Sequence, residues 1–225
     1  MIGIGISTRN RHETFVKSYI EILNNTPYTA KIVVVDDASD IEPPFTTYRF
    51  EKNVGVAVAK NKCLELLEGC EHIFLFDNDT YPLTPEWWIP YVDSDEPHLM
   101  YQFKIPGKPK SDMRLLHEDE NIKAYSNTRG AMIYLHRSAI NTVGGFDNEY
   151  GTFFEHPDLT NRIYNAGLTT HRAMDVVGSE KLLYCLDQDG AIESSIPDDV
   201  RQRNMAKNYR LYSKNKLSKA YKEYR

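Results

Sequence analysis

The apolar run His72-Ile73-Phe74-Leu75-Phe76 leads straight into Asp77-Asn78-Asp79, so two carboxylates stand one residue apart at the end of a strand signal. Oxygen donors at such a turn suit a hard cation, Mg2+ or Mn2+. A cation there can bridge a diphosphate and neutralise the charge that builds on it as it departs. The same pattern also serves as a plain turn or helix cap. A second acidic strand end favours the metal reading. Lys31-Ile32-Val33-Val34-Val35 runs into Asp36-Asp37-Ala38-Ser39-Asp40, where a carboxylate can accept from a nucleobase imide or a ribose hydroxyl, or cap its own loop as an Asx-turn. Further along, Glu155-His156 offers two groups able to act as general base near neutral pH: histidine by its ordinary pKa, and glutamate where burial raises it. Asp158 follows in the first turn of a helix signal, where it suits the helix dipole and an i,i+4 pair with Arg162.

The elements that must position these groups alternate. Residues 2–7 read as a buried strand and residues 12–24 as a helix, with Phe15, Tyr19, Ile22 and Leu23 at helical spacing. Residues 31–35 are a β-branched run of the kind found in buried parallel strands. Residues 55–68 return to helical spacing through Val58, Leu64 and Leu67, and residues 72–76 form the next strand. This strand–helix–strand order predicts an α/β fold, a Rossmann-like three-layer sandwich with a mostly parallel central sheet. In such sheets ligands gather at the carboxyl ends of strands, so Asp36, Asp37, Asp77 and Asp79 are expected on one rim. In the second half, Ile105 to Lys110 is a loop, Glu118-Asp119-Glu120 a solvated face, residues 131–136 a strand, Gly144 to Asp147 a turn, and Pro157 to Ala166 a helix. Trp87 and Trp88 offer either a sugar-packing face or core.

The 225-residue chain fits one domain with a short appendage, divided here as 1–200 and a basic helical extension 201–225. A net charge of −5 does not mark the whole chain as a nucleic-acid binder. Three cysteines without a CxxC pair speak against a zinc or disulfide framework. The apolar start, Met1 to Ile6, is too short for a secretory core and lacks a basic region before it, and no run approaches a membrane span; a cytoplasmic, soluble protein is expected. The tail carries Lys207, Arg210, Lys214, Lys216, Lys219, Lys222 and Arg225 against Glu223, with Tyr209, Tyr212, Tyr221 and Tyr224 interleaved. It reads either as a handle for an anionic acceptor, DNA included, or as a solvated helix packed through its tyrosines.

Taken together and in order, six stretches resemble family 2 glycosyltransferases, which are of GT-A fold: Gly5 to Arg11, Val33 to Ser39, Asn53 to Asn61, Phe74 to Asp79, Gly144 to Asp147, and Glu155 to Leu159 with Arg162. The resemblance spans roughly residues 2–167. It implies a metal-dependent enzyme moving a sugar from a nucleoside-diphosphate donor, usually UDP-linked, to an acceptor hydroxyl with inversion. It places Ser7, Thr8 and Arg9 in the loop that contacts the nucleotide. Asp37 falls at the base, with Asp36 beside it. Lys60 stands near the nucleotide where the family has Arg, keeping the charge without the bidentate fork. Asp77 is placed at the ribose and metal, Asn78 between, and Asp79 as the direct metal ligand for Mn2+ or Mg2+. The family's Glu-Asp base pair reads Glu155-His156 here: His156 occupies the base position, Glu155 keeps the carboxylate, and Asp158 stands beside them. The family's later metal-binding His is missing from Asp175 to Ser179, with His171 expected to face out of a strand. The resemblance places acceptor loops at 105–121.

Two other readings stand beside this one. Phe74 to Thr80 also fits the DxDxT strand end of an HAD-type phosphohydrolase, with the first Asp as nucleophile. A nucleotide-sugar-binding protein without turnover would accommodate the altered Glu155-His156 pair and Lys60. Gly3 and Gly5 give only part of a dinucleotide-binding fingerprint. The sequence does not name the sugar, the acceptor or the oligomeric state.

Overall fold

A computed structural model describes residues 1–190, 196 and 198–219. Apolar β-branched runs become the central strands because both of their faces are covered. The main sheet joins β1 (Ile2–Thr8), β2 (Lys31–Asp36), β3 (Tyr48–Arg49), β4 (His72–Asp77), β6 (His98–Met100) and β9 (Met132–His136) in the order β3-β2-β1-β4-β9-β6. The pairs β1–β2, β1–β4 and β2–β3 are parallel, and β9 runs antiparallel to both of its neighbours. Two small sheets flank it: β5 (Thr80–Pro82) with β11 (Leu183–Cys185), and β7 (Leu115–Glu118) with β8 (Ile122–Tyr125) and β10 (Met174–Val176).

Alternate residues of each strand feed two cores. Ile4, Ile6, Val34, Phe74 and Phe76 meet Phe15 and Ile22 of α1 (His12–Asn25) together with Trp87. Val33, Val35, Ile73 and Leu75 meet α2 (Val56–Leu66), α4 (Arg137–Val143) and α5 (Glu155–Asn165). This is the three-layer α/β sandwich the alternation predicted. A short α3 (Ile89–Val92) and a long α6 (Asp198–Asn215) complete the helices. The glycines of β1 serve packing: a Cβ at Gly5 would lie 2.7 Å from Cys63 Cβ and 2.8 Å from Leu75 Cδ2, so α2 rests directly on the strand.

Several expectations change in detail. Leu23 is exposed on α1. Trp87 is core, edge-on to Phe74 and Phe76. His171 lies in a bend, stacked on His117 at 4.5 Å, and not on a strand. Helix α5 begins at Glu155 and not at Pro157, which is tolerated because first-turn N–H groups lack intrahelical partners. Among the described residues no helix is long and apolar enough to cross a membrane.

Buried Asp175 ties β10 to its surroundings. Its carboxyl accepts from Tyr91 Oη at 2.9 Å, Gln102 N at 2.7 Å and Val176 N at 2.9 Å. Burial nonetheless outweighs these donors and pushes its pKa up to about 7. The folded state therefore holds a proton that the unfolded chain, near 3.8, releases. Its stabilising contribution is complete below that lower value and lost as pH rises through about 7. Melting temperature of the metal-free protein is expected to fall between about pH 4 and pH 7. Asp175→Asn should melt lower at the acidic end, having lost an acceptor, yet decline less steeply; an unchanged slope in the variant would refute the assignment.

Candidate active site

The expected rim exists. Ser7, Thr8, Arg9, Asp37, Asp77, Asn78 and Asp79 line one open cavity of about 260 Å³ at the carboxyl ends of β1, β2 and β4. Strand register brings them together, since Ser7 pairs with Val35 on one side and Asp77 on the other. Asn78 locks the tips by donating to Thr8 Oγ1 at 3.0 Å. Asp37 accepts the N–H groups of Val54 at 2.6 Å and Gly55 at 3.0 Å, fixing the loop that opens α2. Burial raises its pKa against those two donors and the charge of Arg9.

Asp36 and Lys60 are not part of this cavity lining. Asp36 is fully buried, its carboxylate taken by Ser39 N at 3.1 Å and by Arg49 Nε at 3.5 Å; it shapes the turn after β2. Lys60 is 1% exposed and lies beneath the rim, with Nζ 3.0 Å from Asp77 Oδ1 and 3.2 Å from the Gly130 carbonyl. Burial works to lower its pKa, but the charges of Asp77 and Glu155 prevail and raise it. Asp77 itself opens on the cavity with a side chain 39% exposed. Crowding by the protein, opposed by Lys60 and reinforced by Asp79, pushes its pKa up to about 6.

A second cavity of about 400 Å³ adjoins the first. It shares Val56, Asp77, Asp79 and Asp187 with it and is lined further by Glu155 and His156. Glu155 is buried, with Oε1 3.2 Å from His156 Nδ1 and Oε2 without a hydrogen-bond partner. Burial would raise its pKa, but the bond to His156 and the charges of His156 and Lys60 hold it below the ordinary carboxylate range. Asp158 does not join them. Its carboxylate accepts from Arg162 Nε at 2.8 Å and Tyr150 Oη at 3.1 Å in the interior, and Arg162 continues to the carbonyls of Val143 and Gly145. That network supports the turn ahead of α5 and has no face on the cavity.

Four residues escaped the sequence reading. Arg11, within the first matching stretch, donates Nη1 to Asp79 Oδ2 at 2.9 Å, while its Nε and Nη2 are buried and unpartnered. Arg201 of α6 lines the first cavity with its Nε likewise unpartnered, as is Arg9 Nε. Asp187 is brought beside Asp79 because β11 pairs with β5 and Leu186 N donates to the Asp79 carbonyl at 3.1 Å. Gly130 lies under the imidazole, where a Cβ would stand 2.8 Å from His156 Nδ1. None of these has a local signal: each meets its partner across a large sequence separation.

Asp77 and Asp79 offer carboxylate oxygens of the type a hard divalent cation takes, on a cavity wall that Asp187 also lines; in this structure one oxygen of Asp79 is held by Arg11 and one of Asp77 by Lys60. Burial, reinforced by Asp79 and opposed by Arg11, Arg129 and Arg201, raises the pKa of Asp187.

No protein-family model matches the chain, and no curated protein matches it in sequence. Solved structures do match. GalNAc-T7 with UDP, GalNAc and Mn2+ gives a TM-score of 0.64 at 14% identity, covering 84% of this chain and 44% of that one. Staphylococcal (S. aureus) TarS 1-349 with UDP gives 0.57 at 17% identity, covering 94% and 72%. The mannosyltransferase PcManGT from Pyrobaculum calidifontis with GDP-Man and Mn2+ gives 0.55 at 17% identity, covering 76% and 53%. The fold is GT-A. The chain spans less than half the length of GalNAc-T7, and at these identities the shared property is the GT-A framework.

Helix α6 packs on this framework through Asn208, which the tail's composition did not single out, and through Tyr209 and Tyr212, two of the interleaved tyrosines expected to do so. Asn208 Nδ2 donates to the carbonyls of Tyr150, Thr152 and Phe153 at 2.6, 2.7 and 3.0 Å. Phe154 packs against Tyr209 and Tyr212, and Tyr212 Oη accepts from Asn161 Nδ2 at 2.8 Å. Lys222, Arg225, Tyr221, Tyr224 and Glu223 lie outside the described residues. Phe153 and Phe154 carry φ values of 71° and 69°, a left-handed conformation costing roughly 1–2 kcal/mol per residue. Asn208 thus holds a strained turn immediately before Glu155. Asn208→Ala is expected to lower stability by about 1–3 kcal/mol, read as a shifted urea midpoint at constant slope. A change within about 0.5 kcal/mol would show that the turn stands without it.

Proposed function

We propose that this protein is a metal-dependent glycosyltransferase that moves a sugar from a nucleoside-diphosphate donor, UDP-linked, to an acceptor hydroxyl with inversion. The observation that carries the reading is the shared wall of Asp77 and Asp79 between two cavities, one lined by Asp37 and arginines, the other by Glu155 and His156. The resemblance to family 2 enzymes and the nucleotides in the neighbouring GT-A structures support it.

On this reading Ser7, Thr8 and Asp37 take the nucleoside. The unpartnered guanidinium nitrogens of Arg9, Arg11 and Arg201 await an anionic partner, and a diphosphate supplies one. Asp77 and Asp79 would hold Mn2+ or Mg2+, which neutralises charge on the departing diphosphate. The acceptor enters from the opposite side, where His156 takes the hydroxyl proton and Glu155 orients the ring and stabilises the imidazolium. Lys60 keeps Glu155 and Asp77 ionised in a crowded site. Replacement of Asp79 by Ala should weaken Mn2+-dependent UDP binding by at least ~10-fold, measured by calorimetry with and without metal; unchanged affinity would remove the basis of the proposal. Under saturating substrates, His156→Ala should lose transfer and Glu155→Gln should retain part of it. The reverse outcome would make Glu155 the base.

The acceptor's chemistry is suggested by a third cavity of about 780 Å³, which shares Ile105 and Arg129 with the reaction cavity. Lys104, Lys108, Arg114, Lys123 and Arg129 line it, with Asp112 the one acid among the described residues of its lining. Such a basic recess favours an acceptor carrying phosphate or carboxylate groups. Reversing Lys108 and Arg114 to Glu should raise KM for an anionic acceptor while leaving UDP affinity unchanged; an unchanged KM for the anionic acceptor would refute this part.

A further inference from the structure

At the amino end of β4, away from Asp77, Glu71, His72 and His136 bring one carboxylate oxygen and two imidazole nitrogens within 4.8 Å of one another. Register produces the cluster. Strands β4 and β9 pair antiparallel with His72 opposite His136, and the rings meet edge to face at 5.3 Å. Glu71 reaches both, with Oε1 3.4 Å from His136 Nε2 and Oε2 3.8 Å from His72 Nε2.

The second nitrogen of each ring is held elsewhere. His72 Nδ1 lies 3.0 Å from Tyr134 Oη, and His136 Nδ1 lies 2.6 Å from Ser138 Oγ. A metal-binding tautomer, with Nδ1–H donating to those hydroxyls, turns both Nε2 lone pairs toward Glu71 and requires His136 Nδ1 to give up the 3.4 Å bond it accepts from Ser138 N. Metal-binding histidines are oriented in this way by partners on their other nitrogen. The backbone around the cluster is tied down as well: Glu71 N donates to the Met1 carbonyl at 3.0 Å, and Arg137 N to the Glu71 carbonyl at 2.8 Å.

Two imidazoles and one carboxylate match zinc better than the oxygen-seeking Mg2+ or Mn2+. Bonds of about 2.0–2.1 Å place tetrahedral ligands roughly 3.3 Å apart, so the three ligand atoms, now within 4.8 Å of one another, need to draw together by side-chain rotation. We infer that Glu71, His72 and His136 form a Zn2+ site with three protein ligands and one solvent position, separate from the donor cavity and able to clamp the start of β4 to the junction of β9 and α4.

The test uses untagged full-length protein stripped of metal, titrated with ZnCl2 by calorimetry and with Co2+ by visible absorption. Zn2+ is expected to bind at one equivalent and raise the melting temperature even when Asp79 is replaced by Ala. His136→Ala and Glu71→Gln, whose side chains are both part-exposed, should each weaken binding by at least ~10-fold. His72→Ala removes a ring held against Tyr134, so the other two variants carry the experiment. Mn2+-dependent UDP binding should be unaltered in His136→Ala, which separates failure of this site from failure of the donor reading. Absence of a one-equivalent event, equal Zn2+ affinity in His136→Ala, or binding lost only with Asp79→Ala would each overturn the inference.

Discussion

Repulsion among acids at the carboxyl rim of the sheet is the constraint on which the rest of the site depends. Asp37, Asp77, Asp79, Glu155 and Asp187 all face two adjoining cavities, and like charges so close raise one another's pKa unless cations or donors intervene. The fold answers differently on its two sides. Below the rim, Lys60 is 1% exposed and bound to Asp77 and to a carbonyl; removing the Asp77 charge would leave this buried ammonium with Glu155 as its remaining nearby countercharge. On the cavity side, Arg11 has a side chain 17% exposed and meets Asp79 through one nitrogen while two others lack partners. The inner countercharge is thus a permanent part of the core. The outer one retains unused donors, which is the arrangement needed where an anion arrives from solution.

A second constraint is the strained turn at Phe153 and Phe154. Two adjacent bulky residues with positive φ persist only where surroundings over-determine them. Those surroundings come from distant parts of the chain: Asn208 holds three carbonyls, and the Gly151 carbonyl accepts from Ala57 N at 2.8 Å. Gly55 is forced by the same approach, since a Cβ there would stand 2.8 Å from the Gly151 oxygen. The carboxyl-terminal helix is therefore part of the apparatus that aims Glu155.

What could be read from sequence follows from the range of the forces. Strands β1, β2 and β4 announce themselves because burial on both faces demands continuous apolar runs, and their acidic ends then mark the rim. The three-residue strands β5, β10 and β11 are too short to show a period, so the pairing that brings Asp187 to Asp79 left no trace. Asp36 and Asp37 look alike in sequence, yet adjacent strand residues point to opposite sides: one serves the turn with Ser39 and Arg49, the other the cavity. Lys60 was placed near the nucleotide by resemblance, but one helical face decided its depth. Arg11, Arg201 and Gly130 act only across the tertiary fold, where composition and spacing carry no signal.

Lys60 and His156, which differ from the pattern of the family 2 enzymes the sequence resembles, bear on whether the site is functional or relict. They are physically coupled. Lys60 Nζ is bonded to the Gly130 carbonyl, and the absence of a side chain at Gly130 is what admits the His156 ring, with a hypothetical Cβ only 2.8 Å from Nδ1. The ring in turn meets Glu155, whose charge helps keep Lys60 protonated despite its burial. A site decaying without selection loses such mutual fits first, because each substitution strands a charge or opens a void beside its neighbour. Here the Lys, the Gly, the His and the Glu close a circuit of contacts around the cavity where an acceptor would enter. On the proposed reading, that closure favours a working base of altered type over a binding module without turnover.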